Sequence, residues 1–141
     1  GYAGSTAPDR YQKIFDIVTG GRDAAVARLQ EAWKADEPLQ GWQVDRVTRD
    51  FIEAAGYGVY FSHRTGHSMG VSPTPHALGV NLDDLETRDT RAILPGVGFS
   101  VEPGIYMPEF GVRSEIDMHV HPENGPTVTT SIQREIINIL A

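Results

Sequence analysis

The sequence predicts an α+β domain whose helices come first, with an antiparallel sheet following and the helices packed on one face of that sheet. Three observations predict it. Apolar residues recur at three-and-four spacing up to about residue 55, polar and apolar residues alternate from about residue 99, and a Pro- and Gly-rich stretch separates the two regimes. With 141 residues, 40% of them hydrophobic, the chain can bury one core, so residues 1–141 read as part of a single domain.

Thr6-Ala7-Pro8-Asp9 is a helix start, because Pro is tolerated in a first turn and an acid there suits the helix dipole. The stripe Tyr11, Ile14, Phe15, Val18, Arg22, Ala25, Val26, Leu29 and Trp33 then predicts a helix from about 9 to 34. Gly20-Gly21 weakens its middle and predicts a bend or local irregularity. Residues 36–41, with Pro38, connect to a second amphipathic helix marked by Val44, Val47, Phe51 and Ala55 and closed by Gly56.

From Tyr57 the period changes to two, predicting a short strand that delivers His63. Residues 70–98 are mainly loop, with a turn of helix near 86–91, and long loops are usually functional. Phe99-Ser100-Val101-Glu102 alternates and is stopped by Pro103-Gly104. Residues 112–120 alternate more cleanly, with Val112, Ile116, Met118 and Val120 on one face and Arg113, Glu115, Asp117 and His119 on the other. Such a strand lines a polar cavity. Two further short strands are expected at about 126–130 and 134–140.

Composition narrows the chemistry. Lys plus Arg number 12 against 19 Asp plus Glu, a net charge of −7, and no basic run occurs, which argues against nucleic-acid and membrane-surface partners. No apolar stretch reaches the length of a membrane span and no secretory signal pattern opens the chain, so a cytoplasmic location is expected. Cysteine is absent, which excludes thiolate metal sites and disulfides. The start at Gly1-Tyr2-Ala3, without Met, reads as a piece of a longer protein.

What remains is an imidazole and carboxylate set. His63-Arg64-Thr65-Gly66-His67, Glu102 in Ser100-Val101-Glu102-Pro103-Gly104, and Glu115 in Gly111-Val112-Arg113-Ser114-Glu115-Ile116-Asp117 place two imidazoles and two carboxylates on separate elements. Those donors suit a divalent cation such as Zn, Mn, Fe or Co. Two carboxylates can bridge paired cations, and paired cations can hold a hydroxide and polarise a carbonyl, the chemistry of amide or ester hydrolysis. His63 and His76 are candidates to bond substrate or move protons, and Arg113 to orient a carboxylate or bind an anion. His119 and His121 are expected to face solvent, and Met69 and Met118 to pack.

From Tyr11 to Ile139 the chain resembles the pita-bread metallopeptidases, the family of creatinase, aminopeptidase P, prolidase and methionine aminopeptidase, and within it the Xaa-Pro peptidase branch. The segments above carry the resemblance, together with Ser68-Met69-Gly70, Asn81-Leu82-Asp83, Leu85-Glu86-Thr87-Arg88-Asp89 and Ile105-Tyr106. It implies that His67, Glu102 and Glu115 are metal ligands, that His63 borders the substrate, that Arg113 belongs to the surrounding polar network, and that His76 is a further substrate-facing histidine. His76 stands farther from His67 than the family spacing, so 71–75 is expected to be an insertion. The implied catalytic set is His63, His76, Glu102 and Arg113. The implied cofactor is a pair of divalent ions (Mn, Zn or Co), the substrate a peptide with proline at its second position, and the intact protein a homodimer.

The family takes its remaining ligands from two aspartates on an upstream hairpin. Asp9 and Asp16 lack the matching motif, so residues 1–141 are expected to be the later portion of a pita-bread catalytic domain, unstable and inactive by themselves. A metal-independent creatinase-like hydrolase or lyase, and a non-catalytic binding module, are the alternative functions the resemblance implies. If the ligand assignment holds, Glu102→Ala and Glu115→Ala each abolish Mn or Zn binding measured by calorimetry; unchanged binding in both variants removes them from the metal.

Overall fold

Helices form where the apolar spacing predicts them. In the computed structural model, which describes residues 1–71 and 76–140, helix α1 spans Asp9–Lys34 and helix α2 spans Gly41–Ala54. Asp9 sits in the first turn of α1 and Lys34 in the last, each favourable to the dipole. The buried face of α1 is Ile14, Phe15, Val18, Gly21, Arg22, Ala25, Leu29 and Ala32. At the start of α2, the Gln40 N–H donates to Gln43 Oε1 at 2.8 Å, satisfying one donor that the helix start would otherwise leave free. Its end is a Schellman turn: Gly56 adopts φ +86°, Gly56 N donates to Glu53 O at 2.9 Å, and Tyr57 N donates to Ile52 O at 3.1 Å.

The local irregularity expected at Gly20-Gly21 does not interrupt α1, which is helical throughout. The reason is packing. Gly21 lies against Thr48 and Ile52 of α2, and a Cβ on Gly20 would meet the Phe51 ring at 2.6 Å. Gly20 lets the Phe51 ring approach closely, and the neighbouring helix supports the segment.

Six strands follow: β1 Ser68–Met69, β2 Gly98–Val101, β3 Gly104–Tyr106, β4 Gly111–Arg113, β5 Ile116–His121 and β6 Gly125–Val128. They form an antiparallel sheet in the order β1-β2-β5-β6 and a separate antiparallel pair, β3-β4. Ala25, Leu29 and Ala32 of α1 and Val44 of α2 pack on Phe99, Val101, Ile116, Met118 and Val120, so the helices cover one face of the sheet as expected. A second cluster, Ile14, Val18, Ile52, Phe61 and Ile105, ties both helices to β3.

Four expected elements differ. Residues 57–63 do not form a strand; Gly58–Tyr60 is a single 3-10 turn, and Val59 is 86% exposed, so the alternation has no buried face to serve. No helical turn forms at 86–91, because the Asp83 carboxylate captures the N–H groups of Leu85, Glu86 and Thr87 in an Asx-type turn. The expected strand at 134–140 is reduced to one bridge, Tyr2 to Asn138, with Ile137, Ile139 and Leu140 61%, 63% and 70% exposed. The long strand at 112–120 is two strands, β4 and β5, parted at Ser114-Glu115, so Val112 packs in the second cluster while Ile116, Met118 and Val120 pack in the first. The expected insertion at 71–75 falls largely on residues 72–75, outside those described.

Gly21→Ala is expected to stabilise the protein by up to about 1 kcal/mol, because its Cβ would find ordinary contacts at 3.4 Å and Ala gains helix propensity. Gly41→Ala should do the reverse, by roughly 2–4 kcal/mol, since its Cβ would stand 1.9 Å from Asn81 O. Thermal unfolding of both variants checks this; a lower Tm for Gly21→Ala would show the helices cannot accept even one methyl.

Candidate metal and active site

The site is built on an interrupted hairpin. β2 pairs with β5 so that Val101 lies opposite Ile116, and β3 pairs with β4 so that Gly104 lies opposite Arg113. The register is the same on both sides of the break, which puts Glu102 across from Glu115. Pro103, lacking an N–H, cannot donate to the ladder there, although its carbonyl accepts Ser114 N at 3.3 Å. Like charges facing each other across a strand pair are unfavourable. Although Glu115 is exposed, partial desolvation and the nearby carboxylates of Glu102 and Asp117 raise its pKa, against the opposing pull of Arg113 and His67. A carboxyl raised in this way contributes stability below the ordinary carboxylate range, and that contribution is lost as pH rises through its folded value.

The histidine segment docks onto β2 by main-chain contact. Ser100 N donates to His67 O at 3.0 Å and Glu102 N to Thr65 O at 2.7 Å. Between them Gly66 comes so close that a Cβ would stand 1.8 Å from Ser100 O, which leaves glycine as the residue that fits. Ser100 is fully buried; its hydroxyl accepts His67 N at 3.0 Å and donates to Glu102 Oε1 at 3.1 Å. The His67 Nδ1–H donates to Ser68 O at 3.0 Å, which leaves Nε2 as the free lone pair, 3.4 Å from Glu102 Oε1. His76 is exposed and stacks on His67, ring centroids 4.1 Å apart and planes 8° from parallel.

A polar chain continues on the other side. The His63 Nδ1–H donates to Arg64 O at 2.7 Å, so its Nε2 accepts from the Tyr106 hydroxyl at 2.9 Å. The same hydroxyl accepts Arg113 Nε–H at 2.7 Å, and Arg113 NH1 donates to Glu102 Oε2 at 3.0 Å. His63, Tyr106, Arg113 and Glu102 are thus connected in one line, with His67 beside its end. A cavity of about 340 Å³ lined by Tyr2, Tyr11, Phe15, Val112 and Arg113 adjoins it.

All six residues singled out from the sequence, His63, His67, His76, Glu102, Arg113 and Glu115, therefore gather at one place. Arg113 ends β4, whereas Glu115 lies in the break between β4 and β5. Among the described residues no three histidine or acidic side chains stand close enough together to hold an ion. His119 and His121 are half-buried rather than solvent-facing, because they lie on the sheet and His121 Nδ1 accepts Glu123 N at 3.1 Å. Met118 is buried in the core as expected. Tyr106 and Ser100 carried no role in the sequence reading. The signal for Ser100 was its alternation onto the Glu102 side; nothing local marks Tyr106, whose partners lie 43 and 7 residues away.

The family model described as metallopeptidase family M24 matches residues 2–122. The chain is 36% identical over 132 residues to the uncharacterized peptidase YqhT of Bacillus subtilis, covering 92% of this chain and 33% of the relative. It is 33% identical over 132 residues to the Xaa-Pro dipeptidase of Lactobacillus helveticus, covering 93% and 32%. The solved Xaa-Pro dipeptidase of Bacillus anthracis superposes with a TM-score of 0.77 at 34% identity, covering 97% of this chain and 35% of that one. The chain thus spans about a third of the length of the curated relatives it matches.

Behind the histidine segment, Ser68 N donates to Asn81 Oδ1 at 2.8 Å and Asn81 N to Asp89 Oδ2 at 2.8 Å. Hydrogen bonds from Arg91, and from the Asn81 and Arg91 N–H groups, outweigh burial and lower the Asp89 pKa to about 2. A depressed carboxyl contributes stability above its unfolded value of about 4, and that contribution is lost as pH falls toward 2. Asp89→Asn is expected to remove roughly 1–2 kcal/mol of stability at pH 7, less in salt because Arg91 is exposed, and to flatten the loss between about pH 4 and pH 2. Urea unfolding at several pH values checks this; an unchanged slope sinks it.

Proposed function

The chain belongs to metallopeptidase family M24, and on that premise we propose that it is the later portion of a catalytic domain that hydrolyses Xaa-Pro peptide bonds with divalent metal. The fold is the pita-bread fold of the prolidase structures it matches, and the family and its neighbours support a peptidase. Among the described residues no helix is long and apolar enough to cross a membrane. The finer reading rests on one observation: two carboxylates held opposite each other, with the free Nε2 of His67 beside them.

The chemistry of that donor set suits a divalent cation, although among the described residues its side chains do not close into a three-ligand group. Desolvation first, and then the neighbouring carboxylates, raise the Glu115 pKa, and a cation would offset that repulsion; imidazole nitrogen with carboxylate oxygen is the donor chemistry of Mn, Zn and Co. His67, Glu102 and Glu115 would hold it. Further carboxylates from an upstream hairpin are part of the proposal, as is a homodimer, in keeping with the small share of its relatives that the chain spans. When bound, the metal would polarise the scissile carbonyl and bring water to ionise near neutral pH.

The remaining work falls to protein groups. Hydrolysis adds a water oxygen to the carbonyl carbon, breaks the C–N bond and returns a proton to the proline nitrogen. Glu102, steadied by Ser100 Oγ and Arg113, takes the proton of the water and returns it to the leaving nitrogen. Arg113 holds Glu102 Oε2 and, through Tyr106, fixes His63 beside the peptide. His76, exposed against His67, bonds the substrate carbonyl. The hydrogen-bonded line from His63 through Tyr106 and Arg113 to Glu102 supports one second reading, acid-base catalysis without metal on the same scaffold.

Cleavage of Xaa-Pro dipeptides by the intact protein, with Mn²⁺ and with chelator, separates the two. The expected result is Mn²⁺-dependent cleavage that Glu115→Gln lowers by about 100-fold or more, as loss of a metal ligand does. Without metal, Glu115→Gln should be slightly more stable than the parent, by up to about 1 kcal/mol, and Mn²⁺ should no longer raise its Tm. Cleavage that persists in chelator transfers the assignment to the second reading; no cleavage and no Mn²⁺ stabilisation of the parent sinks both.

A further inference from the structure

The segment from Phe61 to Thr65 carries His63 and leads into His67. Its main chain meets the sheet at its far end, where Thr65 O accepts Glu102 N at 2.7 Å, and Arg64 N donates to Glu86 Oε1 at 3.2 Å. Along the rest of the segment the main-chain partners include two side chains of α2. Arg49 NH1 donates to Phe61 O at 3.1 Å and NH2 to His63 O at 3.0 Å. Asp45 Oδ1 accepts Thr65 N at 2.7 Å and Thr65 Oγ1 at 2.6 Å, and Oδ2 accepts Asp84 N at 3.0 Å. The two side chains also clasp each other, Arg49 Nε to Asp45 Oδ2 at 3.0 Å and NH2 to Oδ1 at 3.1 Å.

This pair is buried, Asp45 at 0% and Arg49 at 6% exposure. A buried ion pair is poor value as a source of stability, since apolar residues of the same size often serve as well or better. Its distinguishing property is direction. The bonds fall on alternate residues 61, 63 and 65, as the edge of an adjacent strand would place them. Arg49 also lies 4.3 Å over the Phe61 ring, whose edge meets His63 with centroids 5.3 Å apart. Loss of the pair frees the main chain at the points that set the direction of His63 and the entry to His67.

We propose that Asp45 and Arg49 are positioning residues for the site, a side-chain substitute for a missing strand that holds the 61–65 segment so that His63 faces Tyr106 and His67 faces Glu102. The inference rests on the peptidase reading for its functional meaning, but its structural content stands apart from metal and substrate. Neither residue bonds a side chain of the polar line; Arg49 reaches His63, and Asp45 reaches Thr65, at the main chain, and Asp45 also holds the Thr65 hydroxyl.

The test uses Arg49→Lys, which keeps the charge and loses the fork, and Asp45→Asn, which keeps the size and loses the charge. Thr48→Val serves as a control: it removes a buried bond from the same helix, Thr48 Oγ1 to Gly21 O at 3.2 Å, on the side facing α1. In the intact protein the ring nitrogen NMR signals of His63 and His67 report the tautomers, and calorimetry with Mn²⁺ alone reports the site. In Arg49→Lys and Asp45→Asn the His63 signals should change from one Nδ1–H form to averaged tautomers, and the Mn²⁺ Kd should rise by about 10-fold or more. Thr48→Val should lower Tm while leaving both readouts unchanged.

Unaltered histidine signals in both pair variants overturn the proposal, whatever their Tm. An equal effect from Thr48→Val overturns it too, as does unfolding of both pair variants, because the pair would then serve the core at large. If the parent binds no Mn²⁺, the peptidase reading fails while the ring signals still decide the positioning role.

Discussion

The site depends on one constraint, a hairpin that keeps its register across a gap in its hydrogen bonding. β2 with β5 and β3 with β4 are halves of one antiparallel ribbon, and Pro103 and Ser114-Glu115 occupy the interruption. The register leaves Glu102 and Glu115 opposed. A fold selected for stability alone would not set two acids there, since even an exposed like-charge pair is unfavourable. The energy for holding them comes from the ladders on either side and from the apolar residues Val101, Ile105 and Ile116 beneath, all at 0–1% exposure.

Other features around the gap can be understood as supports for it. Arg22, 1% exposed in the middle of α1, donates to Ser114 Oγ at 2.7 Å and to Gln133 O at 3.1 Å, fixing the residue beside Glu115 from below. Gly66 allows the histidine segment to lie directly on Ser100, and Ser100 in turn bonds His67 and Glu102. Among the described residues no buried polar side-chain atom lacks a partner. The polar groups behind the site are satisfied by the protein itself, which favours a fixed geometry.

Sequence reasoning located what periodicity and chemistry encode. The 9–34 helix was legible because one helical stripe runs unbroken through it, and the alternation from Ile116 to Val120 because that strand has one buried face. The six site residues were legible because their side chains have few other uses in those combinations. What escaped depends on neighbours distant in sequence. The glycine pair reads as a weak point in α1 until α2 is placed against it. Val112 to Val120 reads as one strand until Arg22 and Pro103 are seen to bond Ser114. Tyr57 to His63 alternates like a strand, but Val59 faces solvent and the segment finds side chains, not a ladder, for its main chain. Tyr106 joins His63 to Arg113 only when the β3-β4 pair is closed.

The strand order has an entropic consequence. β5 and β6 are joined by a tight turn and β2 and β5 through the β3-β4 pair, while β1, two residues long, pairs with β2 across the longer connection 70–97. Closing a longer loop costs more chain entropy, and two residues of ladder return little against it. The carboxylate ribbon thus closes at a lower entropic cost than the pairing of β1, the strand that follows His67, with β2. Chemistry at this site therefore needs both closures, the hairpin that opposes the carboxylates and the longer one that brings His67 beside them.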